Sequence, residues 1–222
     1  MARPNCPEDI CNLSLDYLKQ SPIKSITTPV TNTEFIFARW YDIKRQAGLR
    51  AHTWKFAIKR TILNPNTSTP PPFGYLYAYD LPSDYIRKVT IGNDYHGNLK
   101  QEIEIENGQI LAEGGEDAVS DTGNGDSLYL RYIYDCTSVA KMDPLFISFF
   151  SLGMAIELSA KFSVAATAVD RLMKTFETID CEARTVNGQD NPPKRIQQSK
   201  RLAKRRGYQT SIFAGDYTVF GQ

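Results

Sequence analysis

The chain has 222 residues, of which 41% are hydrophobic and 11% aromatic, a composition typical of a packed globular domain or of two small lobes. Its formal net charge of +1 hides two regions of opposite sign, because residues 194–222 hold seven basic residues and one acidic residue, whereas residues 1–193 hold 19 basic and 24 acidic residues. The basic region therefore has three possible counterparts: the acidic remainder of the chain, an acidic neighbour, or nucleic acid.

Two kinds of targeting segment are excluded by the sequence. Residues 1–12 contain prolines and acidic residues in place of the apolar run of an export signal, so the four scattered cysteines are expected to be reduced thiols in a cytoplasm. The longest uncharged apolar stretch, residues 144–156, is interrupted by Glu157 and falls short of the roughly 18 to 20 residues that cross a bilayer. We therefore expect a buried helix there and no membrane anchor.

The first predicted helix begins at Pro7, which precedes two acidic residues and suits a first helical turn. Its apolar stripe, which runs from Ile10 to Leu18, ends before Pro22. The helix is therefore expected between these two prolines.

A second helix is predicted after Thr31 and Glu34, which have the spacing of a capping box. An apolar stripe predicts that this helix is amphipathic, extends to about residue 51 and faces the core with Ile36, Trp40, Ile43 and Ala47. Gly48 lies inside it at a cost of about 1 kcal/mol relative to alanine, which would allow a bend or an early end.

Residues 53–134 have the character of a β region, with alternating, β-branched or aromatic runs between turn residues. The predicted strands are residues 54–62, 75–79, 85–91, 100–106, 109–112 and 128–134. Asn107 and Gly108 predict a type I′ hairpin. Residues 64–72 and 113–126 are predicted loops, and in the second loop Asp121, Asn124 and Asp126 lack the following glycine and terminal glutamate of an EF-hand, which favours a solvated loop over a calcium site.

Two further helices complete the predicted fold. Asp143 and Pro144 open a third helix that is apolar on nearly every face, which predicts a place at the centre of a bundle. A fourth helix carries one apolar stripe between Ala166 and Ala183 and ends near Gly188. The predicted class is α+β: an antiparallel helical bundle (residues 1–52 and 135–190), an inserted β-sheet domain (53–134) and an extended C-terminal arm (191–222).

The sequence offers little catalytic chemistry. Neither histidine lies in a motif: His52 is expected to satisfy backbone groups at a helix end, and His96 is expected to be solvated in a turn. Cys6 and Cys11 are too far apart for a zinc knuckle, and no second pair of cysteines or histidines completes four ligands. Phosphate-binding loops and nucleophile elbows are missing from the sequence. We therefore predict no catalytic, cofactor or metal residue; the enzymatic alternative would use His52 or Cys136.

The C-terminal arm is the strongest polar feature. Pro192 and Pro193 separate it from the body, and its basic run is followed by six apolar or aromatic residues in the last fifteen, which would promote aggregation if they stayed bare. These residues therefore predict a partner surface, with a solvated tail and a nucleic-acid-binding tail as the alternatives. Extended at roughly 3.3 Å per residue, the arm could span up to about 100 Å and reach a neighbouring subunit.

Several stretches of the chain resemble the head-to-tail adaptors of short-tailed bacteriophages, also called tail tubular protein A or gatekeeper proteins. The main ones are residues 49–60 (LRAHTWKFAIKR), residues 73–87 (FGYLYAYDLPSDYIR) and residues 130–163, which contain DPLFISFFSLGMAIELSAKFS. The opening ICNLSLDYLKQSPIKSI and the later WYDIKRQAGLRAH also fit. Together with the helix that ends near Gly188, the similarity covers most of residues 8–188 in the order of the family.

The resemblance implies a structural subunit without catalysis or cofactor. It implies a ring, usually of twelve copies, between the portal protein and the tail nozzle protein of a virion, assembled in the bacterial host cytoplasm, with genomic DNA passing through the lumen without specific binding and with no membrane contact. In such relatives the arm commonly embraces the portal and the β region faces the tail tube. The expected portal-binding residues are Lys194, Arg195, Lys200, Arg201, Lys204, Arg205, Arg206, Tyr208, Phe213, Tyr217 and Phe220. The alternative is a DNA-binding module that uses the basic arm.

Overall fold

The computed structural model describes residues 4–92, 103–113 and 127–189, which all belong to one compact unit, Met1–Asn191. Within these residues, helices stand before and after the strands, which confirms the predicted α+β class. The helices are α1 (Pro7–Leu18), α2 (Asn32–Ala51), α3 (Pro144–Leu158) and α4 (Ala166–Gln189). The strands are β1 (Ile58–Leu63), β2 (Tyr77–Asp80), β3 (Tyr85–Ile91), β4 (Ile103–Glu106), β5 (Gln109–Ala112) and β6 (Leu128–Tyr134).

The predicted capping box of α2 is confirmed, and its carboxylate does more than cap the helix. The Glu34 N–H donates to Thr31 Oγ1 at 3.3 Å. In return, the Glu34 carboxylate accepts the backbone N–H groups of Thr31 at 2.9 Å, Val30 at 2.7 Å and Lys24 at 3.2 Å. These bonds stabilise the charged form and lower the pKa of Glu34 to about 2. The linker between α1 and α2 is thereby tied to the start of α2.

The predicted inward face of α2 is only partly correct, since Ile36 and Trp40 are half-buried and pack against the core. Ile43 and Ala47 are exposed, whereas the buried apolar side chains are Phe37, Tyr41 and Leu49. The helix carries two adjacent apolar stripes, and periodicity alone does not choose between them. Packing against α3 and the turn that follows it makes the choice, because the Tyr41 ring contacts Phe150 and the Phe37 ring contacts Phe162.

Helix α3 lies at the centre of the helical part, as predicted. The Asp143 carboxylate accepts the Leu145 N–H at 2.8 Å, and Pro144 occupies the first turn, where its missing N–H is harmless. Helices α1, α2 and α4 all pack on α3. The buried Phe146 ring contacts the rings of Trp54 and Phe56, each at a centroid distance of 5.0 Å, so the chain between α2 and β1 joins the same core.

The apolar character of α3 extends beyond its last α-helical turn. Residues Pro144–Phe162 form 19 helical residues that are long and apolar enough to cross a membrane by length and composition. The uncharged stretch 144–156 is as short as predicted, but the helical residues continue past Glu157, so length and composition do not by themselves exclude a membrane span. In the structure 56% of the helical stretch is buried inside the protein, and the buried core helix of a globular protein satisfies the same criterion.

Two glycines of the helical part differ in the space around them, which yields a first prediction. A Cβ at Gly48, through which α2 continues, would lie 3.4 Å from Phe146 Cε2, an ordinary contact, whereas a Cβ at Gly153 in α3 would lie 3.2 Å from Phe176 Cε2. Both alanine variants gain helix propensity. We expect Gly48→Ala to raise the free energy of unfolding by about 0.5–1 kcal/mol, and Gly153→Ala to gain less or to lose stability because the Phe176 ring must move.

Urea unfolding of the two alanine variants beside the parent chain measures this difference. The reverse ranking, with Gly153→Ala the more stable, would contradict the packing at both positions.

The strands form two antiparallel three-stranded sheets, ordered β1-β6-β3 and β2-β5-β4. The strands predicted at 85–91, 109–112 and 128–134 are confirmed in full, and the hairpin is confirmed by positive φ angles at Asn107 (45°) and Gly108 (76°). The strand predicted from residue 54 begins only at Ile58, because Lys55–Ala57 forms a 3-10 turn and Trp54 packs in the helical core. The strand predicted at 75–79 lies at Tyr77–Asp80, and the first residues of the one predicted at 100–106 lie outside the described residues.

An ion pair joins α2 to the end of β6. Arg45 is almost fully buried and donates from Nε to Asp135 Oδ1 at 3.0 Å and from Nη2 to Asp135 Oδ2 at 2.9 Å. The remaining Nη1 donates to Asp42 on the same helix, and Gln46 Nε2 also donates to Asp135, at 2.9 Å. This bidentate pairing of Arg45 with Asp135 fixes the position of the end of β6 relative to α2.

Candidate interaction surfaces

The predicted partner-binding residues, from Lys194 to Phe220, lie outside the described residues. His96 and the loop residues Asp121, Asn124 and Asp126 also lie outside them. The described surfaces that bear on partner binding are the end of α4, the first turns of α2 and the segment before β2.

The C-terminal end of α4 is anchored by one side chain. Asn187 Oδ1 accepts the Lys55 N–H at 3.0 Å, and Asn187 Nδ2 donates to the Thr53 carbonyl at 2.7 Å. The same Nδ2 lies 3.1 Å from His52 Nε2. The partners are 132 to 135 residues away along the chain, so no local sequence signal identifies Asn187 as an anchor. His52 is the C-terminal cap residue of α2, but its ring contacts the side-chain amide of Asn187 and not the backbone groups that were expected.

Three arginines lie at the junction that Asn187 holds. Arg87 Nη2 donates to Thr53 Oγ1 at 2.8 Å, and Arg50 Nη1 donates to the Ile86 carbonyl at 2.8 Å. Arg184 forms an ion pair with Asp180 one turn earlier on α4. The junction is thus rich in positive charge, which no motif in the sequence indicates.

A small cleft of about 170 Å³ opens beside the anchor. Its walls include Trp54, Leu145 and Val186, and Lys55 and Asp143 contribute polar atoms. An apolar cavity of about 150 Å³ holds a benzene molecule, so the cleft has room for one aromatic ring.

Three apolar side chains before and along α2 are exposed and are here called the α2 patch: Val30, which precedes the helix, Phe35 and Ile43. Their exposed fractions are 85%, 54% and 55%. Val30 and Phe35 occupy the two positions of a hydrophobic staple around the capping box, yet both remain largely open to solvent. Phe35 and Ile43 are about 12 Å apart along the helix axis.

A second exposed group, here called the β2 patch, consists of Phe73 and Leu76, with exposed fractions of 85% and 70%. Gly74 lies between them with a φ of 84°, a left-handed conformation that favours glycine. Tyr77 and Ile103 both pair with Ala112. The β2 patch therefore lies at the end of its sheet where β5 ends and β4 begins.

The two patches lie on different elements, since the sheet that α2 contacts through β3 is β1-β6-β3 and the β2 patch belongs to the sheet β2-β5-β4. Phe35 precedes Arg50 by four helical turns, which is roughly 22 Å at 1.5 Å per residue, and Arg50 binds β3 through the Ile86 carbonyl. The start of α2 is therefore far from the sheet that α2 contacts at its other end.

Cys136, a candidate catalytic residue of the enzymatic alternative, has the environment of a structural cysteine. Cys136 is buried, accepts a hydrogen bond from the Tyr134 hydroxyl at 3.4 Å and donates to the Ser138 carbonyl at 3.7 Å. All four cysteines are free thiols, and burial raises the pKa of Cys11. Among the described residues, no three His, Cys, Asp or Glu side chains come close enough to hold a metal ion.

The described residues thus present two exposed apolar patches and a polar anchor at the end of α4. In comparisons with known proteins, the sequence matches no protein-family model and no curated protein.

Proposed function

We propose that the chain is a structural head-to-tail connector subunit, which forms a ring, usually of twelve copies, between a phage portal and the tail nozzle and lets DNA pass through its lumen. The α+β architecture agrees with what the resemblance of residues 49–60, 73–87 and 130–163 implies. The observation that carries the proposal is the presence of exposed apolar patches on two different elements of one subunit.

Two different patches are what a ring subunit needs. A closed ring is built from heterologous contacts, in which one surface of a subunit meets a different surface of its neighbour. Exposed apolar side chains such as Phe35 in the α2 patch and Phe73 in the β2 patch mark surfaces that another protein covers. In the proposed connector, neighbouring subunits or the nozzle cover these two patches.

The arm supplies the contact with the portal in this proposal. Its seven basic residues between Lys194 and Arg206 suit an acidic partner surface, on which arginines form two-pronged bonds to carboxylates. The aromatic residues that follow, such as Phe213 and Tyr217, supply apolar area to be buried on assembly.

The remaining charge of the chain suits a DNA channel. Residues 1–193 carry five more acidic than basic residues, and phosphate contacts dominate the affinity of proteins for DNA. A lumen lined by this net acidic part of each subunit would let DNA slide without sticking.

The proposal is tested by mixing the purified chain with portal rings and observing the product by negative-stain electron microscopy and sedimentation velocity. We expect a ring with a central hole that co-sediments with the portal. A chain shortened by residues 191–222 should lose co-sedimentation, and the double variant Phe73→Ser, Leu76→Ser should keep it. Unchanged co-sedimentation of the shortened chain would rule out the arm as the portal contact, and the absence of any ring would rule out the connector.

The basic arm also supports a DNA-binding module as a second candidate function, because no acidic residue interrupts the run from Lys194 to Arg206. Binding of duplex DNA at several salt concentrations separates the two functions. For a DNA-binding module, the logarithm of the affinity falls with the logarithm of the salt concentration, with a slope of about −0.9 per neutralised phosphate. Tight binding with a steep slope that vanishes when residues 191–222 are removed would favour this module over the connector.

A further inference from the structure

We propose that His52 is a proton-sensitive latch, which holds the C-terminal end of α4 through Asn187 when its imidazole is neutral and releases it when the imidazole is protonated. The latch lies wholly within described residues and does not depend on the proposed ring.

The orientation of the Asn187 amide follows from its two backbone partners. The Lys55 N–H can only donate, so the atom 3.0 Å away must be the amide oxygen. The Thr53 carbonyl can only accept, so the atom 2.7 Å away must be the amide nitrogen. The nitrogen of Asn187, and not its oxygen, therefore faces His52.

This orientation fixes the protonation state of His52. The amide nitrogen of Asn187 has no lone pair to offer, so His52 Nε2, at 3.1 Å, must accept its hydrogen bond. An imidazole that accepts at Nε2 is neutral and carries its hydrogen on Nδ1. The anchored state of α4 therefore requires neutral His52.

Protonation turns this contact into a repulsive one. A hydrogen on His52 Nε2 would point at the N–H groups of the Asn187 amide, with no acceptor between them. Turning the amide over would place its nitrogen against the Lys55 N–H and its oxygen against the Thr53 carbonyl. The amide therefore cannot adapt without losing both backbone bonds, so protonation of His52 weakens the attachment of the end of α4 to residues 52–55.

The surroundings of His52 set the pH range of the latch. Burial and the positive charges of Arg184 on α4 and Arg87 on β3 disfavour the protonated imidazole, whereas the carboxylate of Asp180 on α4 favours it. The net effect is to lower the pKa of His52 below its usual 6.5. The released state has the higher pKa and therefore binds the proton more tightly. The free energy that anchors the end of α4 is at its full value above about pH 6.5 and decreases as the pH falls towards the lowered pKa.

The latch is tested on the full chain by NMR, with the Lys55 amide as reporter because its N–H is bonded to Asn187. Between pH 7 and pH 5 we expect the hydrogen-exchange protection factor of this amide to fall about tenfold, as is typical when one hydrogen bond is lost. In His52→Gln, whose side chain does not titrate, the protection factor should stay unchanged. Equal losses in both chains would overturn the proposal.

A second variant should shift the pKa of His52 upwards instead of downwards. Asn187→Asp places a carboxylate oxygen against His52 Nε2, which favours the protonated ring. The pKa of His52, followed by its imidazole resonances and distinguished from His96 by a His96→Gln control, should therefore rise above that of the parent chain. A pKa that stays the same or falls further would show that the amide does not control the imidazole.

Discussion

Phe146→Ala is expected to lower the free energy of unfolding by about 3–5 kcal/mol, the usual cost of removing a fully buried phenylalanine. The ring is completely buried and contacts Trp54 and Phe56 at 5.0 Å and Phe150 at 5.9 Å between centroids. Its loss opens a cavity between α3 and the chain that leads into β1. Urea unfolding followed by far-ultraviolet circular dichroism measures the effect.

Phe35→Ala is the matched control for this cavity. Phe35 lies in the α2 patch and is 54% exposed, so we expect a change within about 0.5 kcal/mol. Similar losses in the two variants would mean that Phe146 is not at the centre of the core, or that the α2 patch is covered by a second copy under the conditions of the experiment.

Asp135→Ala is expected to cost about 3 kcal/mol, because it leaves the guanidinium of Arg45 buried with two of its three side-chain hydrogen bonds unmade. The Arg45 side chain is only 6% exposed and donates two hydrogen bonds to Asp135. Gln46 loses its partner in the same variant. Thermal unfolding beside the parent chain reports the loss.

Asp42→Ala is the control that tells whether the burial of the contact, and not ion pairing alone, accounts for the loss of stability. Asp42 also binds Arg45, but its side chain is 68% exposed, so Asp42→Ala should cost less than about 1 kcal/mol. If the two alanine variants are equally destabilised, the number of carboxylates around Arg45 matters and the burial of the Asp135 contact does not.

Local chemistry predicted where elements begin. Pro7, Asp143 with Pro144, and the Thr31–Glu34 capping box each placed a helix start correctly. The hairpin at Asn107 and Gly108 was equally predictable, because positive φ angles at two successive residues select few residue types. These signals depend on neighbours in the sequence, so the chain alone carries them.

Contacts across long sequence distances could not be predicted. Both apolar stripes of α2 satisfied helical periodicity, and only α3, about a hundred residues later, decides that Phe37 and not Ile43 is buried. Asn187 is one polar residue among many until the fold brings it to Lys55. The candidate surfaces depend on such contacts, which is why the α2 patch, the β2 patch and the anchor of α4 emerge only from the structure.

The pairing of β1 with β6 has a consequence for how the chain reaches its fold. Ile58 and Ile133 are direct partners, so the chain leaves the first two helices and returns to the last two at the same place. Closing this loop costs about 4 kcal/mol of chain entropy plus a constant. Once it is closed, later contacts between the two halves, such as that of Arg45 with Asp135, cost little additional chain entropy. During synthesis, α1 and α2 leave the ribosome first, yet their apolar faces stay uncovered until α3 has been made. Residues 7–51 therefore cannot bury these apolar faces until residues 144–158 have been synthesised.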